Sequence, residues 1–228
     1  MGVVVVAAGS SRRMEGIDKV FLPLAGQPLV AHSLQVFEHS IDVDKIALVL
    51  SESAQDDGER LVTELGLSKV VAVTAGGARR QDSVFNGMEM LSDCGILMIH
   101  DGARPFVSAD IIARGLEVVG ETGAATAAVS VKDTIKIVDS EMVVRSTPER
   151  ATLWAAQTPQ VFDSQLLMEA HKQVNDDATD DAGMVEALGA DVKVFMGSYE
   201  NIKVTTPEDV ALAETIFTAR TLPLGRNA

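Results

Sequence analysis

The run over residues 2–8 (GVVVVAA) is continuous, apolar and β-branched, and it reads as a strand buried on both faces. A strand covered on both faces must lie inside a sheet with helices above and below it, and the rest of the chain supplies both. Residues 45–50, 70–73, 96–100 and 124–131 repeat the short apolar pattern. Between them, residues 28–40, 56–65, 81–91 and 109–120 carry apolar side chains at helical spacing, the first with proline at its start. This alternation predicts an α/β fold, a mostly parallel sheet with helices on both faces. With 228 residues, 46% of them hydrophobic, the chain suits one domain, 1–228, with a substantial core.

The rhythm breaks after Val131. Residues 134–138 and 142–146 are two β-like pieces separated by Asp139-Ser140-Glu141, which predicts a hairpin arm, 134–152, standing off the sheet. A strand over 153–157, helices over 164–174 and 182–188, a strand over 192–196 and a closing helix over 207–219 follow, with an acidic loop at 176–181. In an open parallel sheet, ligands sit outside the carboxyl ends of the strands, near the point where strand order reverses. The loops after Ala8, Val73, His100 and Val131 fall at such ends.

The net charge of −14 makes nucleic acid and anionic membranes poor partners, and it obliges any small anionic substrate to find a local basic pocket. Clustered cations are therefore informative. The first loop, Ala7-Ala8-Gly9-Ser10-Ser11-Arg12-Arg13-Met14, is followed by Lys19. Its small residues let backbone N–H groups approach phosphate oxygens, and its cations add to the attraction. It matches neither G-x-G-x-x-G nor the Walker pattern, which weighs against a dinucleotide dehydrogenase. A non-catalytic nucleotide-binding protein would keep the glycines and have no need for Arg13, Lys19 and Lys203 together.

Three further clusters fall at predicted strand ends. Gly76-Gly77-Ala78-Arg79-Arg80-Gln81-Asp82-Ser83 opens a helix whose N-terminus suits an anion or the polar edge of a base. In His100-Asp101-Gly102-Ala103-Arg104-Pro105, Asp101 either holds Mg²⁺ or a ribose hydroxyl, or caps an Asx-turn. His100 reads as a hydrogen-bonded core histidine rather than a base. The last group is scattered: Lys132-Asp133-Thr134, Arg150, Thr158-Pro159-Gln160 and Asn201-Ile202-Lys203-Val204-Thr205. Lys203, flanked by apolar residues, either meets an anion or points to solvent from a strand edge.

The histidines, at 32, 39, 100 and 171, show no ligand spacing, so no protein-built metal site is expected. Cys94 is the single cysteine, which rules out an internal disulfide and suits the cytoplasm. The 2–8 run is too short for a membrane span and lacks a basic leader.

Taken in order, the segments AAGSSRRM, GGARRQDSV, HDGARPF, KDTIK, TPQVF and NIKVTTPEDVALAE resemble the 2-C-methyl-D-erythritol 4-phosphate cytidylyltransferase family of the non-mevalonate isoprenoid pathway, from Val5 to about Ala213. The resemblance implies a Rossmann-like nucleotidyltransferase domain that uses CTP, Mg²⁺ bound mainly through the CTP phosphates, and a polyol phosphate acceptor. It also implies a homodimer built with the β-arm. By position, Ala7, Ala8 and Gly9 would line the CTP loop, and Arg13 and Lys19 would stabilise the transition state. Gly77, Arg80 and Ser83 would hold the cytidine end, with Asp101 and Ala103 near the ribose. Arg104, Thr134, Arg150 and Lys203 would hold methylerythritol phosphate, some from the neighbouring subunit, with Arg150 and Lys203 also counted as catalytic. A cytidylyltransferase for another polyol phosphate, such as ribitol 5-phosphate, shares the CTP loops and is the nearest alternative. Asp18 and Val6 stand where the family often has proline, and no second catalytic domain is expected.

Overall fold

In the computed structural model, residues 1–9, 19–174 and 177–221 are described, Lys19 by its backbone alone. The strands are β1 (Gly2–Val6), β2 (Pro23–Leu24), β3 (Gln27–Pro28), β4 (Lys45–Leu50), β5 (Val70–Ala75), β6 (Ile96–Asp101), β7 (Ala124–Ser130), β8 (Ile137–Val138), β9 (Val144–Ser146), β10 (Trp154–Asp163) and β11 (Lys193–Met196). The helices are α1 (Leu29–His39), α2 (Gln55–Glu64), α3 (Arg80–Glu89), α4 (Ala109–Thr122), α5 (Ser164–Gln173), α6 (Asp181–Ala187) and α7 (Pro207–Thr221).

Seven strands form one sheet in the order β11-β7-β10-β6-β1-β4-β5. All its pairings are parallel except those of β10, which runs antiparallel between β6 and β7. The mostly parallel sheet expected from the apolar rhythm is present. The expected strand over 153–157 proves twice as long, because β10 continues through Thr158-Pro159-Gln160 with a register shift between Ala156 and Gln160. Its pairing residues on β6 and β7 are distant in sequence, so no local pattern marks its full length.

Successive side chains of a strand point to opposite faces, and β1 divides the core accordingly. Val3 and Val5 pack with Val30, Leu34 and Phe37 of α1 and with Ile111 and Ile112 of α4. Val4 packs with Val84 and Met88 of α3 and with Leu167 and Ala170 of α5. The helix–sheet approach is close: a Cβ added to Gly87 of α3 would lie 2.4 Å from Val4 Cγ1. A third cluster joins the β2–β3 hairpin to α7 through Leu24, Leu29, Phe106, Val204 and Ala213, and it anchors the segment that carries Lys203.

Between β7 and β10 the chain leaves the sheet. β8 and β9 pair antiparallel, Ile137 with Ser146 and Val138 with Val144, forming the hairpin expected within 134–152. Asp139 organises its turn by accepting hydrogen bonds from the N–H groups of Glu141 (2.9 Å) and Val143 (3.0 Å). Ile137, Met142, Val144 and Trp154 of this region are exposed apolar side chains. Among the described residues, no helix is long and apolar enough to cross a membrane.

Candidate active site

Strand order reverses between β1 and β6: β4 and β5 lie on one side of β1, and β6, β10, β7 and β11 on the other. The carboxyl ends of β1, β5 and β6 meet there, around a cavity of about 410 Å³. Ala7, Ala8 and Gly9 line it from the β1 loop, Gly77, Arg80 and Ser83 from the β5–α3 turn, and Asp101 and Ala103 from the end of β6. Lys203 reaches it from beyond β11, and Val6, Val20, Ala78 and Arg79 complete the wall. All eight residues carried over to the nucleotide thus face one cleft.

Backbone contacts knit these loops. Ala7 N–H donates to Val49 O (2.7 Å), Gly76 N–H to Leu50 O (2.8 Å) and Gly102 N–H to Val6 O (2.8 Å). Gly76 is required by packing: an added Cβ would lie 2.3 Å from Ala8 Cβ and 2.7 Å from Ser83 Oγ, forcing the β1 and β5 loops apart. The Ser83 hydroxyl at the start of α3 accepts from Gly77 N–H at 3.0 Å and holds the glycine turn over the helix N-terminus. A helix start with adjacent cations and tight glycine turns is suited to an anion.

The electrostatic centre is Asp101. Its carboxylate lies 2.9 Å from Lys203 Nζ, 3.5 Å from an Arg80 terminal nitrogen and 3.5 Å from Arg104 Nε. Burial pushes this carboxyl up, but Lys203, Arg80 and Arg104 together outweigh it and hold it well below the usual range. Asp101 is therefore a fixed anion that gathers three mutually repelling cations. Arg80 is held from its other side by the fully buried Asp181, at 2.7 Å. Burial raises the Asp181 carboxyl, and Arg80 and His171 reverse the shift and lower it.

Behind Asp101, a hydrogen-bond chain fixes the end of β6. Asp101 N–H donates to Thr158 Oγ1 (3.0 Å), whose hydroxyl lies 3.2 Å from His100 Nδ1, and His100 Nε2 lies 3.0 Å from Arg104 O. A carbonyl only accepts, so Nε2 carries the ring proton and Nδ1 accepts from Thr158. Burial pushes the His100 ring down to about 4. His100 is thus a neutral core histidine, as its sequence setting indicates.

This depressed value makes the fold sensitive to acid. Above pH ~6.5 the ring is neutral in both the folded and the unfolded chain. As pH falls below that, the unfolded chain takes up a proton that the native site refuses until about pH 4. Stability should therefore decrease by about 3 kcal/mol between pH ~6.5 and ~4 from this group. Urea titrations across the window should show the loss, and His100→Gln should flatten it; an equally steep His100→Gln profile would refute the assignment.

The other residues carried over from the resemblance do not all share the cleft. Arg13 lies outside the described residues, as does the Lys19 side chain; Val20, the next residue, lines the cavity. Arg104 does not line the cavity: it lies behind Asp101, donates to Asn201 O at 2.8 Å, and is only 11% exposed. Thr134 and Arg150 are exposed at the arm, with Arg150 donating to Lys132 O (2.9 Å), and neither lines the cavity. Asp181 has no counterpart among the expected site residues. In sequence it belongs to a run that reads as an acidic loop, although its place beside Asp180, the side chain that caps α6, marks it as a first-turn residue. Among the described residues there is no group of three or more His, Cys, Asp or Glu able to hold a metal.

The family model for 2-C-methyl-D-erythritol 4-phosphate cytidylyltransferase matches residues 1–219. A protein of that name from Dehalococcoides mccartyi (strain CBDB1) is 50% identical over 217 residues, covering 95% of this chain and 96% of its own. One from Alkaliphilus oremlandii is 47% identical over 224 residues, covering 96% and 95%. Among solved structures, 4-diphosphocytidyl-2C-methyl-D-erythritol synthase from Anaerococcus prevotii superposes with a TM-score of 0.85 at 28% identity, covering 95% of each chain. The 2-C-methyl-D-erythritol 4-phosphate cytidylyltransferase of Thermus thermophilus gives 0.77 at 33% identity, covering 94% and 97%.

Proposed function

The chain belongs to the 2-C-methyl-D-erythritol 4-phosphate cytidylyltransferase family, and from that premise we propose how its own residues carry the reaction. The enzyme is a nucleotidyltransferase that moves the CMP unit of CTP to 2-C-methyl-D-erythritol 4-phosphate and releases pyrophosphate, in isoprenoid precursor biosynthesis. The relatives carry this acceptor in their names, which favours it over ribitol 5-phosphate.

An oxygen of the acceptor phosphate attacks the α-phosphorus of CTP in line. A new P–O bond forms as the bond to the β-phosphate bridge breaks, and pyrophosphate leaves with its electron pair. No covalent enzyme intermediate is needed, so the protein's work is positioning and charge stabilisation. The observation that carries this reading is the single cleft lined by Gly9, Gly77, Arg80, Asp101 and Lys203 at the strand-order reversal. The glycine turns approach the nucleotide, and Arg80 and Ser83 hold its cytidine end. Lys203 neutralises charge where the two phosphates meet, and Arg13 and Lys19 add to it from the first loop.

Mg²⁺ travels with the nucleotide in this scheme. Among the described residues of the cavity wall the one carboxylate is Asp101, already ringed by cations, which would suit an ion held mainly by triphosphate oxygens rather than by a protein cage. The ion supplies charge neutralisation on the triphosphate.

Thr134 and Arg150 reach the acceptor from the arm of a second copy in a homodimer. The exposed Ile137, Met142 (78% exposed) and Val144 support such a contact, because apolar side chains clustered on a protruding hairpin gain by burial. The unpaired Cys94 suits a cytoplasmic setting.

Pyrophosphate release from CTP with methylerythritol phosphate, with ribitol 5-phosphate and with no acceptor tests the reaction; turnover only with ribitol 5-phosphate would reject the acceptor. Arg150→Ala is expected to raise KM for the acceptor by about tenfold, the loss of one charged hydrogen bond, with KM for CTP little changed. An unaltered acceptor KM removes Arg150 from the site.

A further inference from the structure

Arg80 spans two carboxylates: one terminal nitrogen is 2.7 Å from Asp181 Oδ2 and the other 3.5 Å from Asp101 Oδ1. Asp101 belongs to the cavity wall. Asp181 does not line the cavity; its side chain is fully buried, and its other oxygen lies 3.4 Å from Nε2 of His171, a side chain only 2% exposed. A buried carboxylate is costly unless it is paired; Asp181 is paired with Arg80 through Oδ2, while Oδ1 makes no hydrogen bond among the described residues, and the backbone on either side of it is anchored. It begins α6, whose start is tied to β10 through Gln160. Gln160 Nε2 donates to Asp180 Oδ2 (2.8 Å) and Thr126 Oγ1 (2.9 Å), and its Oε1 accepts from Ala182 N–H (3.0 Å). His171 is backed by the Phe85 ring at 6.2 Å. Gln160, fixed in the sheet, thus sets the position of Asp181 by holding its two sequence neighbours.

We propose that Asp181, with His171 behind it, is the positioning residue for Arg80: it aims the guanidinium into the nucleotide cavity and prevents it from collapsing fully onto Asp101. Arginine has five donors in a planar fork. With one edge occupied by Asp181, the orientation of the fork is set before substrate arrives. Freed of Asp181, the same side chain would form a two-pronged pair with Asp101, and nucleotide binding would have to break that pair. This inference rests on the reading of Arg80 as a nucleotide contact.

The test is steady-state kinetics on Asp181→Asn, Arg80→Ala and the double variant, with melting temperatures for each. Asp181→Asn, nearly isosteric, is expected to raise KM for CTP by roughly ten- to a hundredfold, the range for a lost hydrogen bond to a charged group, while KM for the acceptor phosphate stays near its original value. Arg80→Ala should do the same, and adding Asp181→Asn to it should raise KM for CTP no further. A lowered melting temperature with unchanged KM for CTP in Asp181→Asn, while Arg80→Ala raises it, overturns the positioning role and leaves Arg80 as a ligand. If Arg80→Ala itself leaves KM for CTP unchanged, the nucleotide assignment of Arg80 falls and the role of Asp181 falls with it. Should Asp181→Asn fail to fold, His171→Gln, which keeps the Asp181–Arg80 pair and removes its backing, is read in the same way: a rise confined to KM for CTP supports the proposal, and an unchanged value overturns it.

Discussion

Lys203→Ala is expected to lower kcat/KM by about two to three orders of magnitude, the effect of removing one preorganised charge from a site of developing negative charge. The side chain is 40% exposed, and its ammonium touches Asp101 at the mouth of the cavity. Its removal opens no core void, so the melting temperature should stay near that of the parent. Lys203 is partnered by Asp101; in the proposed reaction it also serves the phosphates, and its contribution is expected to grow as charge builds at the α-phosphorus. Kinetics with saturating CTP and acceptor separate the two effects: a change in kcat marks transition-state stabilisation, and a change confined to KM marks simple binding. A variant within about threefold of the parent in kcat/KM would remove Lys203 from the chemistry.

Asp101→Asn should act in the opposite way, on folding first. The carboxylate is the common partner of Lys203, Arg80 and Arg104, and neutralising it leaves three cations facing one another. Arg80 retains Asp181, and Lys203 can turn to solvent. Arg104 retains only the carbonyl of Asn201 as a hydrogen-bond acceptor among the described residues, and burial already lowers its own pKa. Leaving a buried charge without its partner costs about 3 kcal/mol, or roughly 6–12 °C in melting temperature for a chain of this size. Added pyrophosphate should recover little of the loss, because Arg104 lies behind Asp101 and does not line the cavity. A variant as stable as the parent would show that the three cations do not depend on Asp101.

Much of this site was legible because glycine and arginine punctuate the ends of apolar strands. Gly76-Gly77 before Arg79-Arg80 marks a turn suited to an anion or a base edge, and Asp101 at the end of β6 stands where ligands meet an open sheet, both through local chemistry alone. The neutral state of His100 was equally accessible, since a histidine amid strand residues has little water to ionise into. Asp181 was not: within an acidic run nothing local distinguishes the carboxylate that is buried against an arginine 101 positions earlier. The length of β10 escaped for the same reason, since β6 and β7 decide it. Arg104 illustrates a third limit. It follows Asp101 in the loop after β6, but the direction of its side chain depends on Asn201, which only the folded chain brings near.

The single reversed strand of the sheet has a consequence for how this enzyme can change. β7 ends at the catalytic rim, and β10, running the other way, starts there, so the connection between them begins and finishes on the same side of the molecule. A parallel strand in that place would have required a return path across a face of the sheet. The hairpin can therefore lengthen, shorten or exchange residues such as Thr134 and Arg150 without disturbing the glycine turns that face the nucleotide. If the arm carries the acceptor contacts as proposed, acceptor preference and donor chemistry belong to parts of the chain that can diverge separately.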